Sequence, residues 1–191
     1  MPTLDATAGG ANANSYETLE EAAEYFDNRL PIVPPWAPTG DASERLLITA
    51  TRTLNNMFRG GRTLVKKGTD SYYIINRKWK GQRATTTQRL DFPRIGLVDA
   101  DGNAVPSDSV PQEIKDATSE LAGQLGAGDR TLDSDVVVQG IKSVSAGSVS
   151  VSFKDDVSAQ VLPDAVVNNI PPWWYDDEQI ELTNTFEFEV V

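Results

Sequence analysis

Three stretches of this chain repeat apolar residues every three to four positions, and proline or glycine closes each one. That spacing puts the apolar side chains on one face of a helix, and the breakers forbid longer helices. The first stripe is Tyr16, Leu19, Ala23, Phe26 and Leu30, stopped by Pro31. Asn14 or Ser15 is placed to cap it, and Glu17, Glu20 and Glu21 suit the positive end of its dipole. The second is Leu46, Leu47, Ala50, Leu54, Met57 and Phe58, beginning at Asp41 with Glu44 set for a capping box and ending at Gly60-Gly61. The third is Val110, Ile114, Ala117, Leu121 and Leu125, with Pro111 in the tolerated first turn and Gly126 to Gly128 as its stop.

Between and after these helices the period changes to two. "RTLVKKGTDSYYIIN" has β-branched and aromatic residues on both sides of Lys67-Gly68-Thr69-Asp70, which predicts a hairpin over Arg62–Asn76. "SVSAGSVSVSF" alternates Val149, Val151 and Phe153 with serines, the pattern of a half-buried strand, with "VVVQGIKSV" as its partner. A short helix is expected over Asp164–Ile170, halted by Pro171-Pro172. The last residues alternate again through Ile180, Leu182, Phe186, Phe188 and Val190, a strand that joins its own sheet or augments another subunit. Residues 31–40 form a proline-rich connector, and the small residues of 1–14 predict a mobile arm. The expected fold class is therefore mainly α, a small helical bundle with one or two β-hairpins and extended N- and C-terminal arms. Its parts are an arm over 1–14, a body over 15–172 that contains the basic hairpin and loop of 59–94, and a C-terminal extension strand over 173–191.

Chemistry is bounded by what is missing. The 191 residues include no cysteine and no histidine, which removes thiolate and imidazole metal sites, disulfides and every Ser-His or Cys-His arrangement. The adjacent pairs Glu20-Glu21, Asp155-Asp156 and Asp176-Asp177 do not face one another on a helix or strand, so spacing makes none of them an acid–base pair. Asp99, Asp101 and Asn103 resemble the start of a calcium loop. With Asp99 as position one, however, Ala104 stands where that loop needs its glycine and Val110 where it needs its bidentate glutamate. A tight turn is the better reading. No enzyme, metal or cofactor is expected, nor a signal peptide or membrane span.

The charge is uneven. The net charge is −11, yet residues 59–94 hold ten Lys/Arg against Asp70 and Asp91, leaving seven bases against twenty-six acids elsewhere. Such asymmetry fits a basic face for nucleic acid or contact between oppositely charged copies. Within it, Trp79 lies among Arg77, Lys78, Lys80 and Arg83, with Lys66 and Lys67 on the preceding hairpin. Aromatic stacking beside cations is the physics of strand binding, and the competing reading is a core tryptophan whose basic neighbours point outward. Trp173, Trp174 and Tyr175, with Phe186 and Phe188 beyond, are candidates for a subunit or partner interface, packing on their own domain being the alternative.

The order of "GANANSYETLEEAAEYFDNRL", "ERLLITATRTLN", "KWKGQRATTTQRLDFPRIGLVDADGNAVPSDSVPQEIKDATSELA", "GIKSVSAGSVSVSF" and "LPDAVVNNI" resembles the head–tail adaptor (connector) proteins of tailed bacteriophages, over roughly residues 9–172. The resemblance implies a homo-oligomer, a twelve-fold ring docked beneath the portal protein. Such a ring extends the channel for double-stranded DNA and forms the platform for a tail or nozzle protein, in a virion assembled in the host cytoplasm. Residues 62–76 and 173–191 depart from that pattern. Similar phage proteins are also described as DnaT-like, which implies instead a single-stranded DNA-binding protein of phage replication.

Overall fold

In the computed structural model, Thr18 opens the first helix, and Asn14 and Ser15 are occupied elsewhere. The structure describes residues 3–29, 41–60, 62–67, 70–75, 77–127, 143–146, 149–152, 162–177 and 179–182. Helix α1 spans Leu19–Asp27, with a complete capping box: the Thr18 hydroxyl accepts from the Glu21 N–H while the Glu21 carboxylate accepts from the Thr18 N–H. Asn14 cannot cap because its amide is spent on the N-terminal segment, accepting from Asp5 N–H at 2.8 Å and donating to Thr3 O at 2.9 Å. The Ser15 hydroxyl donates to Glu17 O. Tyr16 thus precedes the helix, yet it is fully buried.

The same hydrogen bonds correct the expectation of a mobile N-terminal arm. Residues 3–14 fold back: Asn14 N–H donates to Asp5 O, Arg89 N–H donates to Gly10 O at 3.2 Å, and Ala13 enters the core. Small residues are compatible with a mobile arm, but they also let a backbone lie close against a body.

Helix α2 (Asp41–Met57) buries Leu47, Ala50 and Leu54, and Phe58 just beyond it. Helix α3 (Gln112–Ala127) buries its expected stripe of Ile114, Ala117, Leu121 and Leu125, but also Thr118, Ser119, Glu120 and Ala122. It is enclosed because α1, α2 and the short α4 (Asp164–Val167) all pack on it. Gly123 permits the α1 contact: a Cβ there would lie 2.9 Å from the Phe26 ring. The three long helices and α4 form the helical body, joined by small antiparallel pairs.

Strands β1 (Arg62–Lys67) and β2 (Asp70–Ile75) make the expected hairpin, with Arg62 opposite Ile75 and Lys67 opposite Asp70. The two-residue strands β3 (Lys78–Trp79), β4 (Gln82–Arg83) and β5 (Arg94–Ile95) follow. Strands β6 (Ser143–Ala146) and β7 (Val149–Ser152) pair with Ser143 opposite Ser152; the rest of the expected partner, residues 136–142, and Phe153 lie outside the described residues. Strand β8 (Tyr175–Asp176) pairs with β3, and β9 (Gln179–Leu182) pairs with β2, giving a sheet ordered β1-β2-β9. The C-terminal stretch from Trp173 to Leu182 is therefore not an arm over these residues but returns to its own body. No helix among the described residues is long and apolar enough to cross a membrane.

Candidate functional site

The two regions singled out in the sequence, around Trp79 and around Trp174, are one structure. Strand β3 places Lys78 opposite Asp176 and Trp79 opposite Tyr175. Main-chain bonds fasten the strand on both sides: Trp79 N–H donates to Phe58 O at 3.3 Å and Lys80 N–H to Trp174 O at 2.8 Å. The Trp79 ring is 4% exposed and lies flat on Phe58, with centroids 3.9 Å apart at 14°. Phe92 meets it edge-on at 4.9 Å, and Tyr175 meets Phe58 edge-on at 5.1 Å. Trp174, fully buried, closes the cluster beside Phe92. Aromatic pairs in these geometries contribute roughly 0.5–1.5 kcal/mol each beyond the area they bury.

Trp79 is accordingly a core residue, and it offers no face to a nucleotide base. Three of the four surrounding cations are matched within the chain. Arg77 Nε donates to Asp177 Oδ1 at 3.0 Å, with its guanidinium over the Tyr175 ring. Lys80 Nζ lies 3.7 Å from Asp176, and Arg83 binds Asp91 through Nη2 at 2.6 Å and Nε at 3.0 Å. Lys78 is exposed and has no ion-pair partner among the described residues. Lys66 and Lys67 lie on β1, at the turn end of the hairpin. Phe186 and Phe188 lie outside the described residues.

The acids beside this basic segment thus serve pairing, and the same holds for Glu21, which both caps α1 and bonds Lys115. Asp99 shows the turn chemistry directly. Its carboxylate accepts from Asp101 N–H at 2.9 Å, Asn103 N–H at 2.8 Å and the Asn103 amide at 3.0 Å. Those bonds, led by the Asn103 amide, hold its carboxyl below the usual carboxylate range. Gly102 supplies the positive φ of 85° that such a turn requires. Among the described residues no three acids converge as metal ligands would.

Several structural determinants carried no recognisable pattern in the sequence. Gln88 is buried, and its amide donates to Leu90 O at 2.9 Å and Pro93 O at 3.0 Å while accepting from Thr85 N–H. Arg94 is buried too, donating to Lys80 O at 2.7 Å, Gly81 O at 2.9 Å and Asp91 O at 3.1 Å. Burial lowers its pKa. The Tyr16 hydroxyl donates to the Asn55 amide oxygen and accepts from Asp91 N–H, and burial first, then the Asp91 charge, push its ionisation upward. These groups shape the 80–95 segment into a rigid shelf.

The large hydrophobics left exposed among the described residues are Ile95 at 48%, Val98 at 43% and Trp173 at 43%. Both the Trp173 and Trp174 indoles donate to Val98 O, at 3.0 and 2.7 Å. Of the aromatic run, Trp174 and Tyr175 are spent on the chain's own core, correcting the interface reading for those two; Trp173 is left on the surface.

No curated protein and no solved structure matches this chain. A family model described as "Putative DnaT-like ssDNA binding protein" matches residues 3–179, which takes in every helix among the described residues, the aromatic cluster and the start of β9. On that match the chain belongs to the family of putative DnaT-like ssDNA-binding proteins.

Proposed function

We propose that this chain is a structural subunit without catalysis: a ring-forming head–tail adaptor of a tailed-phage virion. In that role it docks under the portal, extends the channel through which double-stranded DNA passes, and presents the platform for the tail. The observation that carries the reading is the fate of Trp79. The ring that a single strand would stack on is buried against Phe58, and three of the four cations around it, Arg77, Lys80 and Arg83, are paired with Asp177, Asp176 and Asp91. Strand binding relies on exposed π-faces along a cationic groove. A channel sleeve, by contrast, must let a polyanion slide, and a largely acidic chain with most of the cations around Trp79 matched internally suits that.

The family description favours a second reading, a single-stranded DNA-binding protein of phage replication. Exposed Lys78 and the basic residues of β1 are the places where a strand would be held. The two readings separate in one pair of measurements. Electron microscopy of the protein mixed with its portal should show added rings, and fluorescence anisotropy with single-stranded oligonucleotides should show no binding at physiological salt. Submicromolar, salt-sensitive strand affinity from a monomer, without portal rings, would replace the adaptor by the second reading.

A further inference from the structure

Two helices present solvent faces of opposite charge. On α2 the exposed positions Arg45, Thr49, Arg52 and Asn56 fall on one stripe, with no acid between the two cations. Just past the helix end, Arg59 stands opposite Lys78 in an isolated antiparallel bridge, and both are exposed. On α1 the outer stripe is Glu20, Glu24 and Asp27, all exposed. Neither face is satisfied within the chain: among the described residues, the one ion pair that any of these charges makes is Arg45 with Asp41, at 3.9 Å across a single helical turn. Resting on the assembly reading above, we propose that the arginine face of α2 in one copy docks on the acidic face of α1 in a second copy.

Spacing and charge both select this occupant. Seven helical residues rise about 10 Å, so the step from Arg45 to Arg52 along α2 matches the step from Glu20 to Asp27 along α1. A phosphate backbone would account for the arginines and leave the α1 acids without a role, whereas a second copy accounts for both. Pairing α1 with α1 would set acid against acid, and pairing α2 with α2 would set cation against cation. Both faces point away from the body. The opposite sides of these helices, Ala22 and Phe26 on α1 and Leu47, Ala50 and Leu54 on α2, are the buried ones, and both helices pack on α3. Exposed ion pairs are individually weak and screened by salt, so the faces choose the partner more than they set the affinity.

Exchanging the charges tests the contact. The variants are Arg45→Glu/Arg52→Glu on α2 and Glu20→Lys/Glu24→Lys/Asp27→Lys on α1, each checked for folding by circular dichroism and then followed by sedimentation velocity at low ionic strength. Wild type should associate in a concentration-dependent way that weakens with added salt. Each variant alone should sediment as a monomer. A one-to-one mixture should associate again, because the reversed α2 of one variant meets the reversed α1 of the other and the unaltered faces pair as in wild type. Both variants stay net negative, since the chain starts at −11 and exchanging three acids for lysines adds six, so bulk attraction gives no such recovery. Arg45→Gln/Arg52→Gln repeats the test without reversing any charge, and it too should weaken association.

If the folded variants associate as wild type does, or their mixture stays monomeric, the helix contact is overturned while the adaptor reading stands on its portal rings. A wild type that remains monomeric at every concentration overturns the contact as well. If that monomer binds a single-stranded oligonucleotide that Arg45→Glu/Arg52→Glu does not, the α2 face holds phosphates instead. Should it also add no ring to the portal, the adaptor reading falls too.

Discussion

The indole of Trp79 lies on the phenyl ring of Phe58 at 3.9 Å, and this stack joins the end of α2 to the β3–β8 pair. Replacing Trp79 with alanine should therefore destabilise the protein by about 3–5 kcal/mol, the range for a buried large aromatic. Trp79→Phe should cost much less. The Trp79 indole N–H is buried without a hydrogen-bond partner among the described residues, so phenylalanine loses volume but none of the bonds described. Chemical denaturation of the two variants measures the difference; equal losses would mean that the stack does not hold these elements.

Trp173 and Trp174 are neighbours in sequence and opposites in environment. Trp174→Ala should cost about 3–5 kcal/mol because the ring is fully buried beside Phe92. Trp173→Ala should change stability by roughly 1 kcal/mol or less, since the exposed ring gives up little beyond its bond to Val98 O. Thermal unfolding of both variants under one buffer condition settles the contrast.

Glu17 makes stability fall as pH rises. It is 1% exposed, and burial, opposed by the Ser119 hydroxyl donating at 2.9 Å, pushes its pKa from 4.5 up to about 8. Glu21 and Asp116 add to the rise, and Lys115 works against it. Between those two values the folded chain keeps a proton that the unfolded chain has released, so unfolding becomes easier with each step upward in pH. Glu17→Gln should remove that slope. The variant and wild type should be close near pH 4, and by pH 9 the variant should be more stable by roughly a few kcal/mol, at about 1.4 kcal/mol per pKa unit. Urea titrations across this range give the difference curve, and parallel curves would refute the assignment.

How far the sequence could be read depended on the range of the interactions involved. Helical stripes in α2 and α3 and the β1–β2 hairpin are local patterns, and they lie where spacing puts them. The start of α1 is not fixed by local pattern, because Asn14 and Thr18 are both good caps; contacts of Asn14 with Thr3 and Asp5, folded back across a turn, decide between them. Trp79 illustrates the same limit at longer range. Its basic neighbours look like a binding patch until Asp176 and Asp177, about a hundred positions away, are brought beside them. No single-chain periodicity reports such a pairing. Thr118, Ser119 and Glu120 likewise look like a solvated face, and become core because α1, α2 and α4 all pack on α3.

Glu120 and Arg29 offer the sharpest test of that covering. Arg29 Nε lies 2.7 Å from one Glu120 oxygen and Nη2 donates to the other at 2.8 Å, while the Tyr25 hydroxyl and the Gln124 amide complete the shell. The Glu120 side chain is 4% exposed and that of Arg29 25%, so the carboxylate bears most of the desolvation. Removing the cation with Arg29→Ala should therefore cost about 3–5 kcal/mol, because an ionised group is left in the α1–α3 contact without its counter-charge. Glu120→Gln should be milder, since the amide keeps the side chain's shape and one acceptor for Tyr25. The double variant Arg29→Ala/Glu120→Gln should then be more stable than Arg29→Ala alone, the reverse of what two independent losses would give. A double-mutant cycle in urea measures the coupling directly. Additive losses would mean that α1 is held to α3 by Phe26 and its apolar neighbours, with the ion pair contributing nothing to the joint.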